Sequence, residues 1–267
     1  MDQAYVKYAP WPWLTAAAGK MANPFQTTDI AWDADVTPEG AALIWKSGSV
    51  IPVLSQWVPA KPFATIGAFT LTENATAKDP TVFSAQGGAD VILPVGGWKW
   101  QPSVAYYGFT AIQGKATSGV AGAPAGNSTV GANFRYDYNV LDVLNKITGP
   151  EIFSQPIALI GDYVHNNGAE DNNSAWEAGM EVGKVTEKFG SWKAYYFYER
   201  KENDSTFGAL TDSDFGGGGT NHKGHIFGAQ IGLNKYMSAG LKYFHTEEIN
   251  GTQNQIDTLY TDLQTQW

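Results

Sequence analysis

Residues 176–184 read WEAGMEVGK, and the residue types take turns without a break. Trp176, Ala178, Met180 and Val182 are apolar, while Glu177, Gly179, Glu181 and Gly183 between them are charged or tiny. A period of two is the signature of an extended strand, whose successive side chains leave opposite faces. This strand has one face suited to hydrocarbon and one suited to water.

The same alternation recurs along the chain. In NFRYDYNV (residues 133–140), Phe134, Tyr136, Tyr138 and Val140 interleave with Asn133, Arg135, Asp137 and Asn139. In HIFGAQIGLN, Phe227, Ala229, Ile231 and Leu233 alternate with Gly228, Gln230 and Gly232. At the end of the chain, Leu259, Thr261, Leu263, Thr265 and Trp267 share one face. Helical periodicity is nearly absent, and only YNVLDVLNKI reads either way. The pattern predicts about thirteen strands. They fall near residues 3–9, 13–22, 38–47, 62–74, 80–93, 98–113, 131–142, 153–166, 174–186, 191–203, 224–234, 237–249 and 255–267. Many reach about ten residues, the length that crosses a bilayer as a tilted strand.

Composition points the same way. Only 16% of the 267 residues are charged, against roughly 25% in soluble domains. The 30 glycines, 10 tryptophans and 13 tyrosines are too many for a conventional core. No stretch approaches the roughly 18 apolar residues of a membrane-spanning helix. With no cysteine there is neither a disulfide framework nor a thiolate metal site. A net charge of −9 excludes the clustered basic surface that nucleic acid requires. The opening MDQAYVKYAPWPW has no basic and apolar leader pattern.

Short links at PWP, VGGW, EKFGS and NKYM alternate with long polar or glycine-rich ones. The long ones are residues 23–39, the KATSGVAGAPAGNSTV stretch, NNGAEDNNS and the segment through TDSDFGGGG. Short periplasmic turns and long extracellular loops in turn thread an outer-membrane barrel. Residues 48–61 and 143–153 fit less well, being long for turns. Aromatics gather near strand ends: Trp13, Trp45, Trp98, Trp100, Trp176, Trp192 and Trp267. That is where a girdle of amphipathic rings meets lipid headgroups.

The stretch GKMANPF…IAWDADVTPEGAALIW, the DSDFGGGGTNHKGH loop and the terminal aromatic strand resemble the putative porin family of Gram-negative outer membranes. The resemblance runs from about residue 3 to residue 267, and Trp32, Asp33, Asp35, Pro38, Glu39 and Gly40 carry its most distinctive motif. It implies an all-β, antiparallel up-and-down transmembrane β-barrel, a single domain over residues 1–267, opening a water-filled channel for passive diffusion of small hydrophilic solutes and ions. It also implies a signal peptide and further strands ahead of residue 1. Strand parity agrees: with Trp267 periplasmic, the first strand starts outside the cell, so one or three strands are expected to be missing, giving about 14 or 16 in the intact protein. The expected location is the bacterial outer membrane. The expected partners are membrane lipid and lipopolysaccharide, small solutes and ions, the outer-membrane assembly machinery through the C-terminal strand, and two further copies in a homotrimer.

With the apolar set facing lipid, the expected pore-lining residues are Lys7, Lys20, Asp90, Arg135, Asp137, Asp162, Glu177, Glu181, Lys193, Glu199, Lys242 and Asp262. Acids slightly outnumber bases, which predicts a weak preference for cations. The segment from Asn23 to Gly40, with Asp29, Trp32, Asp33, Asp35 and Glu39, is the candidate constriction loop. Tyr5, Tyr106, Tyr195 and Tyr260 are candidates for stacking on solutes.

No catalytic group is expected. His222 and His225 flank the glycine run without a third ligand at a telling spacing, so no metal or cofactor is expected either. Asp212 and Asp214 lack the glutamate of a calcium loop, and the four glycines lack a phosphate-binding sequel, so this segment reads as a flexible external loop. Ser238 and His245 lie seven apart on one strand and point to opposite faces. Two other readings stand beside the channel: a soluble, aromatic-rich, carbohydrate-binding-like domain, and a structural or adhesive barrel that does not conduct.

Overall fold

In the computed structural model, residues 3–49, 51–52, 59–73, 78–94, 96–151 and 155–265 are described. Thirteen long strands follow one another: β1 (Ala4–Trp11), β2 (Leu14–Lys20), β3 (Glu39–Lys46), β4 (Pro59–Thr70), β5 (Thr81–Ile92), β6 (Lys99–Thr110), β7 (Asn139–Thr148), β8 (Ile157–Asn166), β9 (Ser174–Gly183), β10 (Trp192–Lys201), β11 (His222–Asn234), β12 (Met237–Glu248) and β13 (Gln255–Thr265). Each pairs antiparallel with its predecessor, so the chain builds one up-and-down sheet in sequence order. The dipeptide Ile51–Pro52 adds a short pairing to β4, and Thr129–Val130 with Asn133–Phe134 form a separate small hairpin. Among the described residues β1 and β13 do not pair with each other, and both are exposed edges.

Twelve of the thirteen expected strands lie where alternation put them, to within a few residues at each end. The exception is the seventh, expected over 131–142 and found at Asn139–Thr148. The ambiguous YNVLDVLNKI is strand, and the alternating residues before it belong to a long connection. There Phe134, Tyr136 and Tyr138 alternate because they bury against other loops, at 2%, 6% and 0% exposure. The shift removes one misfit, since the β7–β8 join shrinks to residues 149–156. The β3–β4 join remains long, and residues 53–58 within it lie outside the described residues, as does Trp267.

The two faces of the sheet differ as the sequence pattern requires. One carries exposed Val6, Leu43, Ile66, Phe83, Val104, Leu159, Met180, Phe227, Ile231, Leu241, Leu259 and Leu263. We call this the outer face. The other, the inner face, is covered by connections that fold back across it from the long-loop end. Residues 21–38, 111–138 and 202–221 bring Phe25, Ile30, Trp32, Val120, Phe134, Phe207 and Leu210 into one cluster with Phe69, Val82, Tyr107, Phe109, Val140 and Val164 of the inner face. The hydrophobic core of this protein therefore sits between its strands and its own loops.

Candidate functional site: a loop-narrowed, acidic inner face

Residues 21–38 cross the inner face from β5 to β8, tied at each step by side chains that alternation aims inward. The Gln26 N–H donates to Gln86 Oε1 of β5 at 2.8 Å. The Thr28 hydroxyl donates to Asp162 Oδ2 of β8 at 2.8 Å, and the Tyr107 hydroxyl of β6 donates to Asp142 Oδ2 of β7 at 3.3 Å. Trp32, 2% exposed, packs edge-on against Phe69 and tilted against Tyr107, both at 6.0 Å between ring centres. Apolar anchors and polar tethers alternate along this segment, which is why a stretch with three aspartates can lie against a wall instead of in solvent.

A second connection meets it. The Asp33 N–H donates to the Leu210 carbonyl at 2.7 Å, and the Asp212 N–H donates to the Asp29 carbonyl at 3.2 Å. Residues 202–221 turn inward through Gly216–Gly219, all four at left-handed φ from 66° to 98°, a conformation only glycine adopts at low cost. Phe215 is thereby buried against Phe244 of β12. The run read as a flexible external loop is a folded element of the inner face. A third connection locks the second: Asn127 Nδ2 donates to the Asn203 and Thr206 carbonyls at 2.7 and 2.9 Å, and Tyr138 donates to Asp204 Oδ1 at 2.9 Å.

Below these loops lies a cavity of about 300 Å³. Thr28 and Asp29 of the first loop and Asp212 of the second form one side. Glu177 and Glu181 of β9, Lys193, Tyr195, Phe197 and Glu199 of β10, Gln230 of β11 and Lys242 of β12 form much of the rest. Lys193 is paired with Glu181, and Lys242 Nζ lies 3.5 Å from Asp212 Oδ2. Glu199 Oε1 and Lys201 Nζ, the latter behind this wall, lie 2.9 Å apart as a fully buried ion pair. Burial, with Asp212 and Asp33 nearby, pushes the Asp29 carboxyl up to about 6, against the pull of Lys242 and the Ala34 N–H. Burial also raises Asp33, opposed by the Asp35 N–H, and raises Asp137, opposed by the Tyr138 N–H.

Glycine keeps the cavity open. The Phe197 ring lies on Gly179 of β9 and the Tyr195 ring on Gly228 of β11, so closely that neither position has room for a Cβ. Each large inward ring therefore rests flat on a neighbouring strand.

Of the residues expected to face inward, Lys7, Asp90, Asp162, Glu177, Glu181, Lys193, Glu199, Lys242 and Asp262 are on the inner face by strand register. Three are not. Lys20 shares the parity of Ala16 and Ala18 and lies on the outer side at the end of β2, because inward Ala17 fixes the register. Arg135 and Asp137 sit in the third connection, since β7 starts only at Asn139; the Arg135 guanidinium lies over the Tyr136 ring at 4.9 Å.

Of the constriction-loop candidates, Asp29, Trp32 and Asp33 are in the inward segment, and Asp35 is exposed at its end. Glu39 is the first residue of β3 and pairs across from outward Lys20, so it takes no part. Tyr5, Tyr195 and Tyr260 have inward parity, while Tyr106 is on the outer face.

Trp13, Trp45, Trp98, Trp100 and Trp192 mark the short-turn end of the sheet, and Trp176 the opposite end. His165, His225 and His245 have outer-face parity, whereas His222 is buried on the inner face, so the paired histidines diverge. Among the described residues no three histidine or acidic side chains gather closely enough to hold a metal ion. Sequence reasoning missed Asp142, Asp212 and Gln230. Alternation in YNVLDVLNKI and in HIFGAQIGLN signalled the first and third; nothing local signalled Asp212.

The family model described as "Putative porin" matches residues 1–139 and 128–267, which together span the chain. The chain belongs to that family. No curated protein matches it.

Proposed function

We propose that this member of the putative porin family is an outer-membrane β-barrel that lets small hydrophilic solutes and ions diffuse through a channel narrowed by residues 21–38 and 202–221. The observation that carries the reading is the split between the two faces. Large apolar side chains stand exposed along the outer face of nearly every strand, whereas a water-soluble monomer keeps its contiguous apolar patches to about a few hundred Å². In water each would forfeit about 25 cal/mol per Å² of contact with hydrocarbon. That argues against the soluble, carbohydrate-binding reading. The covered, charged face would then be the lumen, and closure of the sheet into a barrel is part of this proposal.

The channel favours cations weakly. Inward Lys46, Lys61 and Lys99 lie toward the short-turn rim, whereas where the loops narrow the space Asp29, Asp212, Glu177, Glu181 and Glu199 outnumber Lys193 and Lys242. Charge counts most at the narrowest point, because low-dielectric walls focus its field there. Lipid and lipopolysaccharide would cover the outer face, the assembly machinery would read β13, and further copies would pack outer face to outer face as a trimer. In this reading the inward groups among the described residues serve permeation and not catalysis. Liposomes containing the full-length protein should swell in small neutral sugars at rates that fall with solute size. Rates equal to those of protein-free liposomes would exclude the channel and favour a structural barrel.

A further inference from the structure

The cavity beneath the loops holds more acid than its own lysines neutralise. Lys193 is taken by Glu181, Lys242 by Asp212 and Lys201 by Glu199. Glu177 is left over. Its residue is 8% exposed, its side chain lines the cavity, and it makes no hydrogen bond or ion pair with any described residue. Asp29 lines the same cavity, and among the described residues its carboxylate accepts one hydrogen bond, from the Ala34 N–H at 3.2 Å. A buried carboxylate without a partner costs several kcal/mol, a cost that a cation in the cavity would remove.

The shape of the site says what kind of cation. Among the described residues no three acidic or histidine side chains converge enough to chelate one metal ion. The acids are spread around a cavity of about 300 Å³, near the lower bound of small-molecule sites, about 300–1,000 Å³. Spread carboxylates suit a short chain bearing separated positive groups. The Tyr195 and Phe197 rings and the Gln230 amide supply flat apolar and neutral polar surface between them. Each ammonium N–H directed at a carboxylate makes a charge-assisted hydrogen bond, about twice as strong as a neutral one.

We propose that this cavity is a subsite for small organic cations carrying primary ammonium or guanidinium groups, with Glu177 taking one positive group and Asp29 another. The proposal rests on the channel reading for the route by which such a solute arrives, and it makes the channel selective for amines over neutral solutes of equal length.

The test is concentration-dependent block of potassium current through the full-length protein in planar bilayers, with 1,4-diaminobutane as probe and 1,4-butanediol as its neutral match. The diamine should block and the diol should not. In Glu177→Gln the half-blocking concentration should rise about tenfold, the loss of one charge-assisted hydrogen bond. Heat-modifiable gel mobility shows whether that variant folds, and Asp29→Asn, in the loop, carries the same expectation if it does not. Conducting channels on which diamine and diol act alike, or on which both variants are blocked as wild type is, would overturn the subsite and leave the channel standing. Absence of any conductance would overturn the channel. Calorimetric titration of the diamine into detergent-solubilised protein then decides the subsite: saturable heat lost in Glu177→Gln supports it, and no heat refutes it.

Discussion

Replacing Trp32 by alanine should release the loop that narrows the channel. Trp32 is 2% exposed and packs on Phe69 and Tyr107 at 6.0 Å, with Phe25 edge-on to the same two rings at 6.1 and 5.7 Å. Truncating a buried tryptophan costs about 3–5 kcal/mol. Strand pairing does not pass through Trp32, so the loss falls on docking of residues 21–38 rather than on the sheet. The polar tethers to the strands, Gln26 to Gln86 and Thr28 to Asp162, contribute about 0.5–3 kcal/mol each, the higher figure for the charged partner. A loss of about 4 kcal/mol moves the docked–released equilibrium about a thousandfold toward release. Single-channel recordings of Trp32→Ala should show higher mean conductance and stronger open-channel noise than wild type. A folded Trp32→Ala channel with wild-type conductance and noise would refute the idea that this loop sets the narrow point.

Three further outcomes follow from the same geometry. Asp29, at about 6, goes from about nine-tenths ionised at pH 7 to about one-tenth at pH 5, so cation preference should weaken across that window and Asp29→Asn should remove most of the change. The docked loop holds this proton more tightly than a released one, whose carboxyl titrates near its ordinary 3.8. Its contribution to docking is therefore fully present below about 4 and is lost as pH rises through about 6, so open-channel noise should grow from pH 4 to pH 7. Gly228→Val should force the Tyr195 ring off the β11 wall into the cavity, lowering conductance at an overpacking cost of about 1–3 kcal/mol that a heat-modifiability midpoint can read.

The strands were legible because each has one wet and one greasy face, and a period of two survives almost any sequence noise. WEAGMEVGK shows both faces in nine residues, and in register Glu177 and Glu181 do point inward. Alternation failed only at NFRYDYNV. There the aromatic period of two arises from rings buried among loops, and the chain has the same pattern without the strand. The inward segment with Asp29 and Trp32 was legible because aromatics and aspartates in one long connection need somewhere to bury. Residues 202–221 were not, because glycine, serine and aspartate read as solvated loop in any local window. What turns that segment inward is Phe215 on Phe244 and the Asp33–Leu210 backbone bond, both long-range contacts. Lys20 was misplaced because a strand end carries too few residues to fix parity by itself.

The reversal potential of the full-length protein in a planar bilayer, under a tenfold potassium chloride gradient at pH 7, tests the central claim most directly. A lumen narrowed by acidic loops predicts ohmic channels and a reversal potential of the sign that marks cation preference. Absence of channels would contradict the water-filled lumen, and a clear anion-selective potential would contradict the acidic constriction.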